Sequence, residues 1–147
     1  MNETISEIEL KYKPNKLKKE RTKINNSQSA YKVLLDNWNT DTIELYEEFK
    51  VLLLNRANEV LGIYTVSKGG LHATIVDLKL LFAVVLKSAS SCIILAHNHP
   101  SGALKPSEAD KRLYLKIKKI ADYLDVNVLD NLIISKDRYH SFVDNGE

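Results

Sequence analysis

The apolar run Cys92-Ile93-Ile94-Leu95-Ala96 stops at His97-Asn98-His99-Pro100-Ser101-Gly102, and this junction constrains the fold more than any other part of the 147-residue chain. A short run without polar alternation reads as a strand buried in a sheet. Pro100 cannot continue a ladder and Ser101-Gly102 turns the chain, after which Ser107 opens a periodic segment as a helix N-cap. Residues two apart on a strand face the same way with bases roughly 6 to 7 Å apart, so the His97 and His99 rings can tilt onto one ion while Cys92 and Asn98 point away. Asp110 falls in the first turn of the helix, where orphan N–H groups and the helix dipole keep its carboxylate ionised.

Two imidazoles and a carboxylate suit zinc with the fourth position left to water, the open arrangement of catalytic sites. Such a metal lowers the pKa of its water from about 15.7 to about 7 and polarises a carbonyl, which is what amide hydrolysis requires.

The pattern His-x-His, ten residues, then Asp110, with Ser107 three residues before that Asp, resembles the JAB/JAMM (MPN) metalloprotease family. Within it, His97-Asn98-His99-Pro100-Ser101-Gly102 with Pro106-Ser107 is similar to the RadC-like branch. The blocks Glu47 to Asn55, Val128-Leu129-Asp130 and Tyr139-His140-Ser141-Phe142 extend the resemblance from about Glu47 to Gly146. The resemblance implies that His97, His99 and Asp110 bind Zn2+, that Ser107 helps hold a tetrahedral intermediate, and that Glu47 or Glu48 is the general base. The branch usually has Glu two residues before Phe, which selects Glu47. Alternation agrees, because Glu47 shares a strand face with Phe49, Val51 and Leu53, whereas Glu48 shares its face with Lys50, which would lower its pKa.

The chain departs from its relatives at Asn131, where the branch commonly has His, and at Val76-Asp77-Leu78-Lys79, where it often has His-Pro-Arg. Neither belongs to the ligand set, so these changes bear on the substrate groove or the surroundings of the ligands. Other zinc patterns fail: no H-E-x-x-H helix and no H-x-E with P-C-x-x-C occurs, and the contiguous His97-Asn98-His99 is not the dispersed triad of HNH nucleases. His72 and His140 fit no ligand spacing and are expected on solvated loops or edges.

The remaining chain reads as one α/β domain, residues 27–147, after an N-terminal strand and basic arm, residues 1–26. Ile8, Leu10 and Tyr12 alternate with Glu9, Lys11 and Lys13, which predicts a half-exposed strand. Pro14 then opens a lysine-rich, partly mobile run through Lys16, Lys18, Lys19, Arg21 and Lys23. Helices are predicted over 27–38, 76–88 and 107–124, the second packed on several sides and the third with Leu113, Ile117, Ile120 and Leu124 as its inner stripe. Strands are predicted over 49–55, 60–66, 126–134 and 139–143, with a break at Gly69-Gly70 and a groove-flanking loop after it. Together they give a mixed sheet flanked by helices on both faces.

A net charge of +2 with 27% charged and 44% hydrophobic residues is that of an ordinary globular chain, not of a dedicated nucleic-acid binder. The single cysteine permits no internal disulfide, and with no apolar run long enough to cross a membrane the expected location is the cytoplasm. The expected activity is zinc-dependent cleavage of a peptide or isopeptide. The competing reading is a DNA-associated accessory protein of repair or mobile-element type, with structural zinc and contacts through the lysine arm, and a third is a degenerate interaction module that cleaves nothing.

Overall fold

The computed structural model describes residues 4–14, 17–69 and 74–147. Helix α1 runs Ser27–Asp36, strand β1 Glu48–Leu54, β2 Val60–Lys68, helix α2 Leu78–Lys87, β3 Cys92–Asn98, helix α3 Glu108–Tyr123, β4 Asn127–Ile134 and β5 Tyr139–Ser141. The five strands form one mixed sheet in the order β2-β1-β3-β4-β5. β3 and β4 are parallel and the other neighbours antiparallel, so α3 is the crossover that a parallel pair requires.

Strand alternation splits the core in two. Val51, Leu53, Leu95 and Ile133 face Leu81 and Val85 of α2 and Tyr114 and Ile117 of α3. Leu52, Leu54, Ile94 and Leu132 face Ala30 and Leu34 of α1 and Trp38. Helices therefore cover both faces of the sheet, as the periodicity predicted. Burial among these residues raises the Cys92 thiol above its ordinary pKa. Lys50 is buried with the second group because its ammonium donates to the Asn37 carbonyl at 3.2 Å and sits 4.8 Å from the centre of the Trp38 ring.

The structure corrects several expectations. Residues 8–12 form no strand, and Ile8 and Leu10 are 90% and 73% exposed, because no described strand pairs with them. The basic run makes a short 3-10 turn at Lys18–Glu20, then joins the β1–β2 turn, where Val60 donates to Thr22 and Ile24 to Asn58. Each helix is shorter than its periodic stretch: α1 starts at Ser27 as predicted but ends at its cap Asn37, with Trp38 beyond it, whereas α2 and α3 start later because Asp77 and Ser107 are caps and not helical residues. On α2 only Leu81, Phe82 and Val85 are buried, while Leu80 and Leu86 face outward, so one side of this helix is uncovered among the described residues. On α3 the inner stripe is Tyr114, Ile117 and Ala121, with Leu113 and Ile120 at its flank and Leu124 exposed. Tyr114 takes the central place because its ring packs edge-on against Phe142, 4.9 Å between centroids. His72, Lys16 and Gly70 lie outside the described residues.

Candidate metal centre

The site forms where β1 begins and β3 ends. In the antiparallel β1–β3 register Phe49 pairs with His97, and continuing it by two places sets Glu47 opposite His99 on the same face. The chain leaves β3 through a turn in which Gly102 donates to the His99 carbonyl at 2.8 Å. Gly102 takes φ +80°, a conformation glycine adopts without strain. Residues 103–106 then lead to α3, whose N-terminus is closed by a reciprocal cap: Asp110 N–H donates to Ser107 Oγ at 3.0 Å and Ser107 N–H to Asp110 Oδ2 at 2.8 Å.

This path brings three donor groups together. His97 Nε2 and His99 Nε2 are 3.1 Å apart, His99 Nε2 is 3.1 Å from Asp110 Oδ2, and His97 Nε2 is 3.4 Å from Asp110 Oδ1. Ligands on a tetrahedral zinc at 2.0–2.2 Å lie about 3.3–3.5 Å from one another, and these separations, which involve one Asp110 oxygen for each ring, come close to that spacing. The ring orientations agree. His99 Nδ1 faces the Ala103 carbonyl at 2.8 Å, and a carbonyl only accepts, so Nδ1 carries a proton and Nε2 is the atom that a deprotonation would free as a metal ligand. Acceptor atoms aimed at one another need positive charge between them, which ring protons or a divalent cation can supply.

Burial alone would raise the Asp110 carboxyl, but hydrogen bonds to His97 and His99, the charge of His97 and the Ser107 N–H outweigh it and hold the acid far below the usual carboxylate range. His99 is raised, first by its hydrogen bond to Asp110, with burial opposing and Ala103 and the charges of Asp110 and Glu47 adding to it.

Glu47 is the fourth group. One of its carboxylate oxygens, His97 and His99 offer atoms all within 4.8 Å of one another. Glu47 and Asp110 thus flank the same two imidazoles but differ in engagement. Asp110 touches both rings, while Glu47 Oε2 accepts the Thr74 N–H at 2.7 Å and stands off. Glu48, on the opposite face of β1, is buried away from the histidines. Ser107 is exposed, and its hydroxyl proton is free for another acceptor among the described residues. Replacing it by Ala removes the cap of α3, at a cost of about 1 kcal/mol. A fall in the melting midpoint of roughly 2–4 °C is expected, and an unchanged midpoint would show that the helix start does not depend on it.

Sequence reasoning missed Asn98. Its side chain is fully buried, with Nδ2 donating to the Ile43 carbonyl at 2.6 Å and the Tyr46 carbonyl at 2.7 Å, and Oδ1 accepting the Glu48 N–H at 2.8 Å. One residue between the two histidines thereby clamps the segment that carries Glu47. The available signal was an amide in a strand otherwise apolar on that face.

Beside His97 lies a cavity of about 40 Å³, lined also by Glu47, Phe49, Leu95, Asp110 and Asn131 among others. It has room for a water molecule or two and is too small for a peptide side chain, so it is a recess of the site. His97 Nδ1 and Asn131 Oδ1 are both buried there without a hydrogen-bond partner among the described residues. Asn131 therefore stands beside a histidine of the cluster. Val76 lines the same cavity with Thr74, while Asp77 caps α2. His140 lies away from the site on β5, paired with Glu147 at 2.7 Å.

A family model described as RadC-like JAB domain matches residues 24–147. A UPF0758 protein of Flavobacterium johnsoniae is 50% identical over 101 residues, which cover 69% of this chain and 44% of that protein. A UPF0758 protein of Porphyromonas gingivalis is 39% identical over 127 residues, 86% of this chain and 55% of its own length. The chain thus spans about half the length of these curated relatives. With the histidine junction, the mixed sheet and a match that takes in both, this chain belongs to the RadC-like JAB domain family.

Proposed function

We infer that this protein is a zinc-dependent hydrolase that cleaves an amide bond, of peptide or isopeptide type, with His97, His99 and Asp110 holding the metal and Glu47 as general base. The observation that carries the reading is the gathering of both imidazoles and the Asp110 carboxylate within 3.1–3.4 Å, with a second carboxylate beside it. Bound zinc supplies Lewis-acid polarisation of the carbonyl and acidifies water. Glu47 takes the proton of the attacking water as its oxygen bonds to the carbonyl carbon. The Thr74 N–H fixes one carboxylate oxygen and leaves the other for this task. The Ser107 hydroxyl, whose oxygen already accepts from the Asp110 N–H, gives a hydrogen bond to the developing oxyanion and keeps its proton. When the C–N bond breaks, Glu47 returns the proton to the leaving amine, so the products are an acid and an amine.

Elemental analysis tests the metal directly. Wild-type protein reconstituted with zinc is expected to hold one ion per chain, and His97→Ala or Asp110→Ala well below one, since each removes one of three ligands. Equal zinc content in all three would overturn the ligand assignment. An unbiased peptide-library cleavage assay on the zinc-loaded protein then reads the activity. The DNA-associated alternative is checked by a salt-dependent titration with single- and double-stranded DNA. No binding near 50 mM salt disposes of it.

A further inference from the structure

The N-terminal segment has the pattern of an amphipathic strand but pairs with no strand among the described residues. Glu7, Glu9, Lys11 and Lys13 lie on one side of an extended chain and Ile8, Leu10 and Tyr12 on the other. Two of the charges on that side meet, Lys11 Nζ lying 2.6 Å from Glu9 Oε2. Yet among residues 5–14 no backbone hydrogen bond reaches the sheet within the described residues, and the apolar side is open, with Ile8 90% and Leu10 73% exposed. The segment is held at its far end, where the Tyr12 hydroxyl donates to the Leu61 carbonyl of β2 at 3.3 Å.

The charge order identifies the occupant. In antiparallel pairing centred on Leu10, Glu9 stands opposite Lys11 of a second copy, Glu7 opposite its Lys13 and Ile8 opposite its Tyr12, with Leu10 against Leu10. Every acidic residue then meets a base, while the apolar residues share the other face. In-register parallel pairing would set Glu on Glu and Lys on Lys, and like charges directly opposite are destabilising. Pro14, which has no N–H to donate, ends the ladder just past the last charge pair.

We propose that residues 7–13 pair antiparallel with the same segment of a second copy, making a two-stranded ribbon that joins two chains into a homodimer. A ribbon of this length is marginal alone, so its apolar face needs a seat. The seat is the groove of about 400 Å³ beside β2, walled by Leu61, Ile63, Tyr64 and Val84, which Lys11, Tyr12 and Lys13 already border. The junction leaves the metal centre free. Leu61 lies near the end of β2 where Val60 pairs with Leu54, and the site lies at the other end, where Lys68 pairs with Glu48. The proposal does not depend on the assigned activity.

Charge exchange tests it on the whole 147-residue chain by sedimentation over a roughly hundredfold concentration range. The mean mass of wild type is expected to rise from one chain towards two, and less steeply at high salt. The doubly reversed variants Glu7→Lys with Glu9→Lys, and Lys11→Glu with Lys13→Glu, are each expected to stay single chains. Mixed in equal amounts they are expected to associate as wild type does, since each supplies the charges the other lacks. All four side chains are exposed, so equal melting midpoints verify that folding is untouched. Wild type that remains a single chain throughout would overturn the proposal, as would pairing of the segment back onto its own β2, which leaves the mass unchanged. Reversed variants that self-associate like wild type, or a mixture that does not recover association, would also overturn it.

Discussion

Glu47→Gln is expected to abolish measurable turnover while leaving one zinc per chain. The amide is nearly isosteric with the carboxylate and can still accept from the Thr74 N–H with its oxygen, so the local geometry survives. What is lost is the base, and removal of a positioned general base costs about two to four orders of magnitude in rate. The measurement is turnover of the library peptides that wild type cleaves, paired with elemental analysis of the same samples. Glu48→Gln is the control. Its side chain lies on the other face of β1, and activity near wild type is expected. Full activity in Glu47→Gln would remove Glu47 from the mechanism, and loss of zinc in it would make Glu47 a ligand.

Asn98→Ala is expected to cost about 3–5 kcal/mol of stability, the sum of leaving buried amide and carbonyl groups without partners. Three backbone groups lose their hydrogen bonds at once: the Ile43 and Tyr46 carbonyls and the Glu48 N–H. For a domain of this size the melting midpoint should fall by about 6–20 °C. Hydrogen exchange at the Glu48 amide reports the local consequence, and faster exchange there is expected even well below the midpoint. Because the clamp holds the segment that carries Glu47, turnover should fall as well, although every zinc ligand is intact. A midpoint within a degree of wild type would show that the three hydrogen bonds contribute little.

The two variants separate chemistry from architecture. Glu47→Gln touches the reacting proton and not the fold. Asn98→Ala touches the fold, and the site only through it. The interval between Asn98 and its partners, 50 to 55 residues along the chain, explains why that residue was silent in the sequence. An amide at a strand end has many local explanations, and only the β1–β3 register selects one.

The helix starts were legible because capping is local. Ser107 reaches Asp110 three residues on, and Asn26 reaches Ser29 in the same way. The inner stripe of α3 was misread by one position. Leu113 and Tyr114 both suit a core, and the choice between them rests on Phe142, which arrives from the far end of the chain. The N-terminal alternation predicted a strand correctly in pattern and wrongly in state, because a strand needs a partner as well as a sequence. That partner is absent within one described chain.

By itself the sequence determined most of the elements, the Ser107 cap, the spacing of His97 and His99 and the face on which Glu47 would lie, since each follows from periodicities of two or 3.6 residues and from contacts within a turn. Only the tertiary structure decided that Asp110 touches both imidazoles while Glu47 stands off on the Thr74 N–H, that Asn98 clamps the Glu47 segment and that Asn131 lies beside His97. Those outcomes depend on which strands are neighbours and in what register, and register is set by the burial of two whole sheet faces together.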